Sequence, residues 1–361
     1  MSGGVDSSVA AHLLLRQGYQ VEGLFMFNWD ADDVYCTAAQ DFQDARQVCE
    51  ELEIPLHRAD FSQQYRERVF RHFLAEYAAG RTPNPDVLCN REIKFDAFLT
   101  YAKRLGADLI ATGHYARIDR QQGQVRLLRA IDVSKDQSYF LHVVPKAALA
   151  QTLFPLGELH KTQVRQLAVE AGFANHAKKD STGICFIGER DFARFLSQYL
   201  PAQPGEIRTP AGELVGHHQG LMFYTLGQRR GLHIGGRASG NGAPWYVVGK
   251  DLATNTLLVT QGTDHPWLYR RCIITEPATW IGDVPIQSHF SCAAQVRYRQ
   301  QPAPCRVQVH ADGSLTVNFG QPQWAATPGQ SLVLYDGQEC LGGAVIQQAT
   351  DRADPSCRLA D

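Results

Sequence analysis

Hydrophobic and polar positions follow two different rhythms in the two halves of the chain. In the first half, apolar residues recur at helical spacing over 6–17, near 38–52, over 62–79 and over 91–105. Short apolar runs stand between them: QVEGLFMF at 20–27, LHRAD at 56–60 and ADLIATGH at 107–114. These have the length of buried strands. Gly18 is placed to end the first helix as a C′ glycine. Strands alternating with helices predict a parallel sheet covered on both faces. Ligands of such sheets bind beyond the carboxyl ends of the strands, where Ser2–Ser8 and Gly113–His114 both fall.

From about Pro201 the rhythm shortens toward period two. GEIRT, GELVGHH, WYVVGK and NTLLVTQG come first, then CAAQVRYRQ, CRVQVHA, SLTVNF, SLVLYDG and LGGAVIQ, each set off by Gly, Pro, Asn or Asp. Short alternating segments with regular turns predict small β-domains, the last of them a barrel. The fold class is therefore α/β with a parallel sheet, followed by two β-rich domains. The expected divisions are 1–198, 199–263 and 264–361.

Composition narrows the function only a little. A length of 361 residues suits two or three domains. The net charge of −2 carries no global signature of nucleic-acid binding, but a neutral total leaves room for a local basic patch. There is no apolar run of about 20 residues and no secretory signal, so the expected compartment is the cytoplasm, with no membrane partner. Nine cysteines, an odd number, are widely spaced with no Cys-x-x-Cys. That argues against a disulfide framework or a zinc finger, and no residue is assigned as a protein metal ligand.

Three stretches carry chemistry. In Ser2-Gly3-Gly4-Val5-Asp6-Ser7-Ser8 the glycines let backbone amides converge, the hydroxyls add donors, and the helix that follows supplies a positive N-terminus. Asp6 is placed either to cap that helix or to hold Mg²⁺. In Thr82–Asn90 (TPNPDVLCN) the two prolines predict extended backbone. Cys89 then stands on a turn ahead of the helix at 91–105, where a helix N-terminus favours the thiolate. Read alone, Cys89 is either that nucleophile or a buried structural thiol, and Asp86 is a turn or cap residue. In KKDSTGICFIGER, Cys185 follows Lys178 and Lys179, whose charge would favour a thiolate.

SGGVDSS with its apolar helix resembles the PP-loop of the ATP pyrophosphatases, which adenylate an oxygen to make it a leaving group. GRTPNPDVLCNREIKF, DLIATGHYAR, KDQSYFL, KKDSTGICFIGER, QGLMFYTLGQRRGLHIGG, PWYVVGKD, RYRQ, TPGQS and CLGG extend the likeness over almost the whole chain. Together they resemble the bacterial tRNA-specific 2-thiouridylases (the MnmA/TrmU family).

That resemblance implies the following. ATP lies across Ser2, Gly3, Gly4, Val5, Asp6, Ser7 and Ser8, with Met26 and Gly113 on the adenine side and Mg²⁺ accompanying the triphosphate. Cys185 carries persulfide sulfur, Cys89 resolves the intermediate through a disulfide, and Asp86 assists. Contacts to tRNA fall on Asn84, Pro85, Asp86, His114, Lys135, Asp136, Gln137, Arg297, Tyr298 and Gln330. The partners are tRNA with its wobble uridine and a persulfide sulfur carrier or cysteine desulfurase relay. Members of the family begin with a hydrophobic strand and a Gly-Met pair before SGGVDSS, and this chain starts at that Met. A central strand is therefore expected to be missing, because the true start lies upstream or because the protein is shortened. Two other readings fit parts of the pattern: a PP-loop synthetase that adenylates another substrate, and a tRNA-binding protein without catalysis.

Overall fold

The structure, a computed structural model, describes residues 1–29, 38–120, 123–179, 192–235, 242–283 and 287–350. The first helix, Val5–Arg16, starts directly from the glycine-rich loop. It buries Val5, Ser8, Val9, Ala10, Ala11 and Leu14 and packs on helix Lys161–Glu170. Gly18 ends it in the left-handed region, φ +85°, a conformation glycine adopts at no steric cost.

The parallel sheet is present as two separate strand pairs. Gly23–Phe27 pairs with Leu56–Asp60, Gly23 opposite Leu56 and Phe27 opposite Asp60. Ile110–Ala111 pairs with Thr152–Leu153. The strands expected over 20–27 and 107–114 are thus shorter than their apolar runs. Helices cover them, among them Ala38–Glu51 and a nearly continuous run from Ser62 to Ala78.

One expectation fails instructively. The prolines of Thr82–Asn90 do not exclude helix. Asn84 is an N-cap whose side-chain oxygen accepts from the Asp86 amide at 3.2 Å, and Pro85 occupies the first turn. A missing N–H is harmless there and the fixed φ suits the helix. The helix therefore begins at Pro85 and runs on through Pro85–Cys89, a π-helical Asn90–Ala97 and Phe98–Arg104. Cys89 lies inside it, 4% exposed, rather than on a turn before it.

The middle of the chain forms a four-stranded sheet in the order Leu214–His218, Gly205–Arg208, Thr256–Gln261, Trp245–Asp251. The last region closes on itself. Strands Tyr269–Thr275, Leu315–Trp324, Ala303–Val309, His289–Gln295, Ser331–Asp336 and Glu339–Thr350 pair in that order, and the last pairs back to the first. All these pairings are antiparallel, so this is the expected barrel, filled by Ile273, Val307, Val317, Phe319 and Leu332 among others.

A hairpin that the periodicity did not reveal ties the first region to this barrel. Ala116–Asp119 and Arg126–Arg129 pair with each other, and Leu127 and Leu128 pair with Cys340 and Glu339 of the last barrel strand. The largest apolar cluster accordingly crosses the boundary, joining Tyr65, Phe73, Cys89, Leu127 and Tyr139 to Val333, Tyr335 and Cys340.

Candidate active site

The glycine-rich loop is braced from several sides. Gly3 sits at φ +73°, and a Cβ there would lie 2.3 Å from the Asp41 carbonyl oxygen, so this position accepts only glycine. The Gly3 carbonyl accepts from Asn175 Nδ2 at 3.1 Å and Lys178 Nζ at 3.2 Å. Asn175 also donates to Ser8 Oγ at 2.9 Å, and Ser8 Oγ donates to the Gly4 carbonyl at 3.0 Å. Ser7 Oγ donates to the same carbonyl at 3.0 Å and shares a hydrogen bond with the exposed Ser2 hydroxyl at 3.1 Å. Gly4 is the N-cap, in extended conformation. The first-turn amides of such a helix have no intrahelical acceptor, and with the macrodipole they favour an anion. A small-residue turn with exposed hydroxyls at a helix N-terminus fits phosphate oxygens.

Asp6 does not present an open carboxylate. Lys161 Nζ donates to both its oxygens, at 2.7 and 2.8 Å, and Tyr115 OH donates to Oδ1 at 2.8 Å. Asp6 is therefore not a helix cap, and three of its acceptor positions serve an ammonium and a phenol. Lys178 is engaged by two carboxylates. Burial works against its charge, but hydrogen bonds to Asp41 at 2.7 Å and Asp44 at 2.5 Å prevail and raise its pKa. Its ammonium tethers the loop to helix Ala38–Glu51.

Gly113 lies against this assembly. A Cβ there would stand 2.9 Å from the Asp6 carbonyl carbon and 3.0 Å from the Ser7 nitrogen. Its missing side chain lets the strand end meet the loop helix itself, a more specific reason than approach to a ligand. Met26 is half-buried on strand Gly23–Phe27, opposite Ala59.

A second group gathers around helix Pro85–Arg104. Desolvation raises the pKa of Asp86, opposed by the Lys94 ammonium, although the residue as a whole is exposed. His114 is buried, and that burial, with Lys94, holds its pKa well below the usual histidine value. Its Nδ1 is 2.8 Å from Thr112 Oγ1, and its ring lies among Phe95 and Phe154. His114 is thus neutral near pH 7. Lys94 charges the neighbourhood of both residues. Sequence reasoning missed Lys94, Lys161, Tyr115 and Asn175. Lys94 was legible only as part of REIKF, and Lys161 meets Asp6 across 155 positions of chain, which only the topology could reveal.

The residues expected to touch RNA divide. Asn84, Pro85 and Asp86 form the helix start, which Gln330 holds from the barrel side. Gln330 Nε2 donates to the Thr82 carbonyl at 2.7 Å and lies 3.4 Å from that of Pro83. Asp136 is buried and accepts from Arg129 Nε, the Ala130 and Ser138 amides and Ser138 Oγ, between 3.0 and 3.2 Å. Gln137 Oε1 accepts from the Tyr115 amide at 2.9 Å. Both therefore build the turn that displays Lys135, which is half-buried. Arg297 and Tyr298 lie on the connection between two barrel strands. Tyr298 packs on Phe140 with ring centres 4.4 Å apart. The Arg297 guanidinium lies 5.2 Å from the Trp324 ring centre, and burial lowers its pKa. Cys185 lies outside the described residues.

The comparisons with known proteins agree with this layout. The family model described as a tRNA methyl transferase HUP domain matches residues 1–189, its PRC-barrel domain matches 193–261, and an aminomethyltransferase beta-barrel domain matches 270–346. The tRNA-specific 2-thiouridylase MnmA of Chromohalobacter salexigens is 58% identical over 98% of this chain and 93% of its own length. That of Methylococcus capsulatus is 59% identical over 98% and 97%, and that of Xylella fastidiosa 60% over 96% and 92%. With matching domains in the same order along the sequence, the chain belongs to the tRNA-specific 2-thiouridylase family.

Proposed function

We propose that this chain is a tRNA-uridine 2-sulfurtransferase that thiolates the wobble uridine (U34) of tRNA and consumes ATP to do so. The observation that carries the reading is the loop Ser2–Ser8 at the start of helix Val5–Arg16, held in shape by Asn175, Lys178 and Lys161. Such a loop serves phosphates, and the relatives are named for thiolation. When bound, Mg²⁺ would neutralise charge on the triphosphate.

The uridine 2-oxygen attacks the α-phosphate of ATP, pyrophosphate leaves, and Asp86 takes the proton from N3. Its raised pKa makes it the better base for that proton. The base must leave its stack to reach the loop. The terminal sulfur of a Cys185 persulfide then attacks carbon 2, Cys89 attacks the Cys185 sulfur, and AMP leaves. The products are 2-thiouridine and a Cys89–Cys185 disulfide, which a thiol reductant reopens. A persulfide sulfur carrier or desulfurase relay reloads Cys185. Lys161 and Tyr115 act through Asp6 and position the helix start. Asn84, Gln330, Lys135, Arg297 and Tyr298 lie on the elements that present the tRNA side.

The test supplies unmodified tRNA, ATP and a persulfide donor to wild type, Cys185→Ser and Asp86→Asn. Cys185→Ser is expected to form almost no 2-thiouridine while still releasing pyrophosphate. Asp86→Asn is expected to slow pyrophosphate release by about 100-fold. Full-rate thiolation by Cys185→Ser would overturn the scheme.

A further inference from the structure

Two cysteines outside this site face each other across the barrel wall. Cys292 on strand His289–Gln295 stands directly opposite Cys305 on strand Ala303–Val309. Their sulfurs are 3.7 Å apart, in contact but not bonded. Directly opposed residues of antiparallel strands have Cα atoms about 4.5–5.5 Å apart, within the about 4.4–6.8 Å that a disulfide spans. Bond formation therefore needs side-chain rotation and no change of register. The two thiols differ in access. Cys305 is 5% exposed, whereas Cys292 is only partly buried. The hydrogen bond with Cys292 and burial both hold Cys305 in its thiol form, so first attack falls to Cys292. The pair clasps the base of the connection that carries Arg297, Tyr298 and Arg299.

We propose that Cys292 and Cys305 form a reversible thiol–disulfide site whose oxidant is a small-molecule disulfide. The Cys292 thiolate attacks one sulfur of that molecule, its S–S bond breaks, and one thiolate leaves. Cys305 then attacks Cys292 Sγ of the mixed disulfide and releases the second thiolate. The two protein protons end on the two small thiols, so one disulfide is reduced and one is formed. The closed form fixes the stem of the Arg297–Tyr298 connection covalently. The proposal does not depend on the thiolation activity.

Oxidised glutathione is the probe. The native chain is incubated with it, quenched in acid, alkylated under denaturing conditions and digested with trypsin, which cuts at Arg297 and Arg299 between the two cysteines. The expected result is a joined pair of peptides, 272–297 and 300–306, whose fragments place the bond at Cys292 and Cys305 and not at Cys272, which is disulfide-bonded already, the join being lost on treatment with dithiothreitol. The deeply buried Cys49 and Cys340 should remain alkylated. Cys305→Ser should instead accumulate a glutathione adduct on Cys292. The proposal is overturned if Cys292 and Cys305 are alkylated as fully as Cys49 and Cys340. It is equally overturned if the wild type stops at the glutathione adduct without closing.

Discussion

At the scale of single residues, the site is governed by groups that hold other groups. Lys161 is 10% exposed at its side chain and Asp6 30%, so their pair is shielded from salt and water. Lys161→Met removes the ammonium and leaves the carboxylate with Tyr115. The expected cost is about 2 kcal/mol of stability, read from urea denaturation. Pyrophosphate release should fall by at least about 10-fold, because the loop loses its anchor. Histidines supply a second prediction. His142 Nδ1 donates to the Tyr139 carbonyl at 2.7 Å, and its Nε2 is buried with no hydrogen-bond partner among the described residues. Burial lowers its pKa to about 4, and burial lowers that of His114 in the same direction. Between the unfolded value of about 6.5 and the folded value, the unfolded chain binds protons that the fold refuses. Stability therefore falls with acidification across that window, by up to about 1.4 kcal/mol per pH unit for each group. For His142 the window closes near pH 4. His142→Asn, which keeps a donor near Nδ1, should flatten the loss between pH 6 and 4 in thermal melts. An unchanged slope would show that His142 does not refuse its proton.

At the scale of elements, the helix Pro85–Arg104 and its brace decide the geometry of Asp86 and Cys89. Gln330 faces the carbonyls of Thr82 and Pro83 with its amide nitrogen. Gln330→Ala should cost about 1 kcal/mol. Gln330→Glu should cost more, because a carboxylate then faces a carbonyl oxygen, and thermal shift and thiolation rate should both rank the variants in that order. This region also shows what a sequence reveals. The first helix, the strand at 56–60 and five of the six barrel strands were legible because periodicity and turn residues both marked them, whereas Tyr269–Thr275 was not singled out. The helix start at Pro85 was misread because proline's effect depends on position: it breaks an interior turn but suits a first one. The hairpin Ala116–Asp119 with Arg126–Arg129 was missed because its strands are four residues long and their partner lies over 200 positions away. The loop Ser2–Ser8 was legible as a glycine-rich turn at a helix N-terminus. Its braces were not, since they come from distant parts of the chain.

At the scale of the whole molecule, the sequence divides into parts that the fold joins again. The apolar cluster around Tyr65, Phe73 and Tyr139 includes Val333 and Tyr335 of the barrel. Tyr139 OH donates to the Ser331 carbonyl at 2.9 Å, and Thr82 N donates to that of Pro328 at 3.0 Å. Heating should therefore give one cooperative transition reported alike by far- and near-ultraviolet circular dichroism. Residues 1–198 expressed alone should expose the shared apolar face and aggregate. Two separated transitions would contradict this. The same joining sets Gln330 against the start of the helix that carries Asp86 and Cys89. The most direct test of the central claim is a mass-spectrometric count of 2-thiouridine in tRNA incubated with the purified chain, a persulfide donor and Mg²⁺, with and without ATP. The account predicts 2-thiouridine at the wobble position only with ATP, with one pyrophosphate released for each base modified. A folded chain that forms none, or forms it equally without ATP, would contradict it.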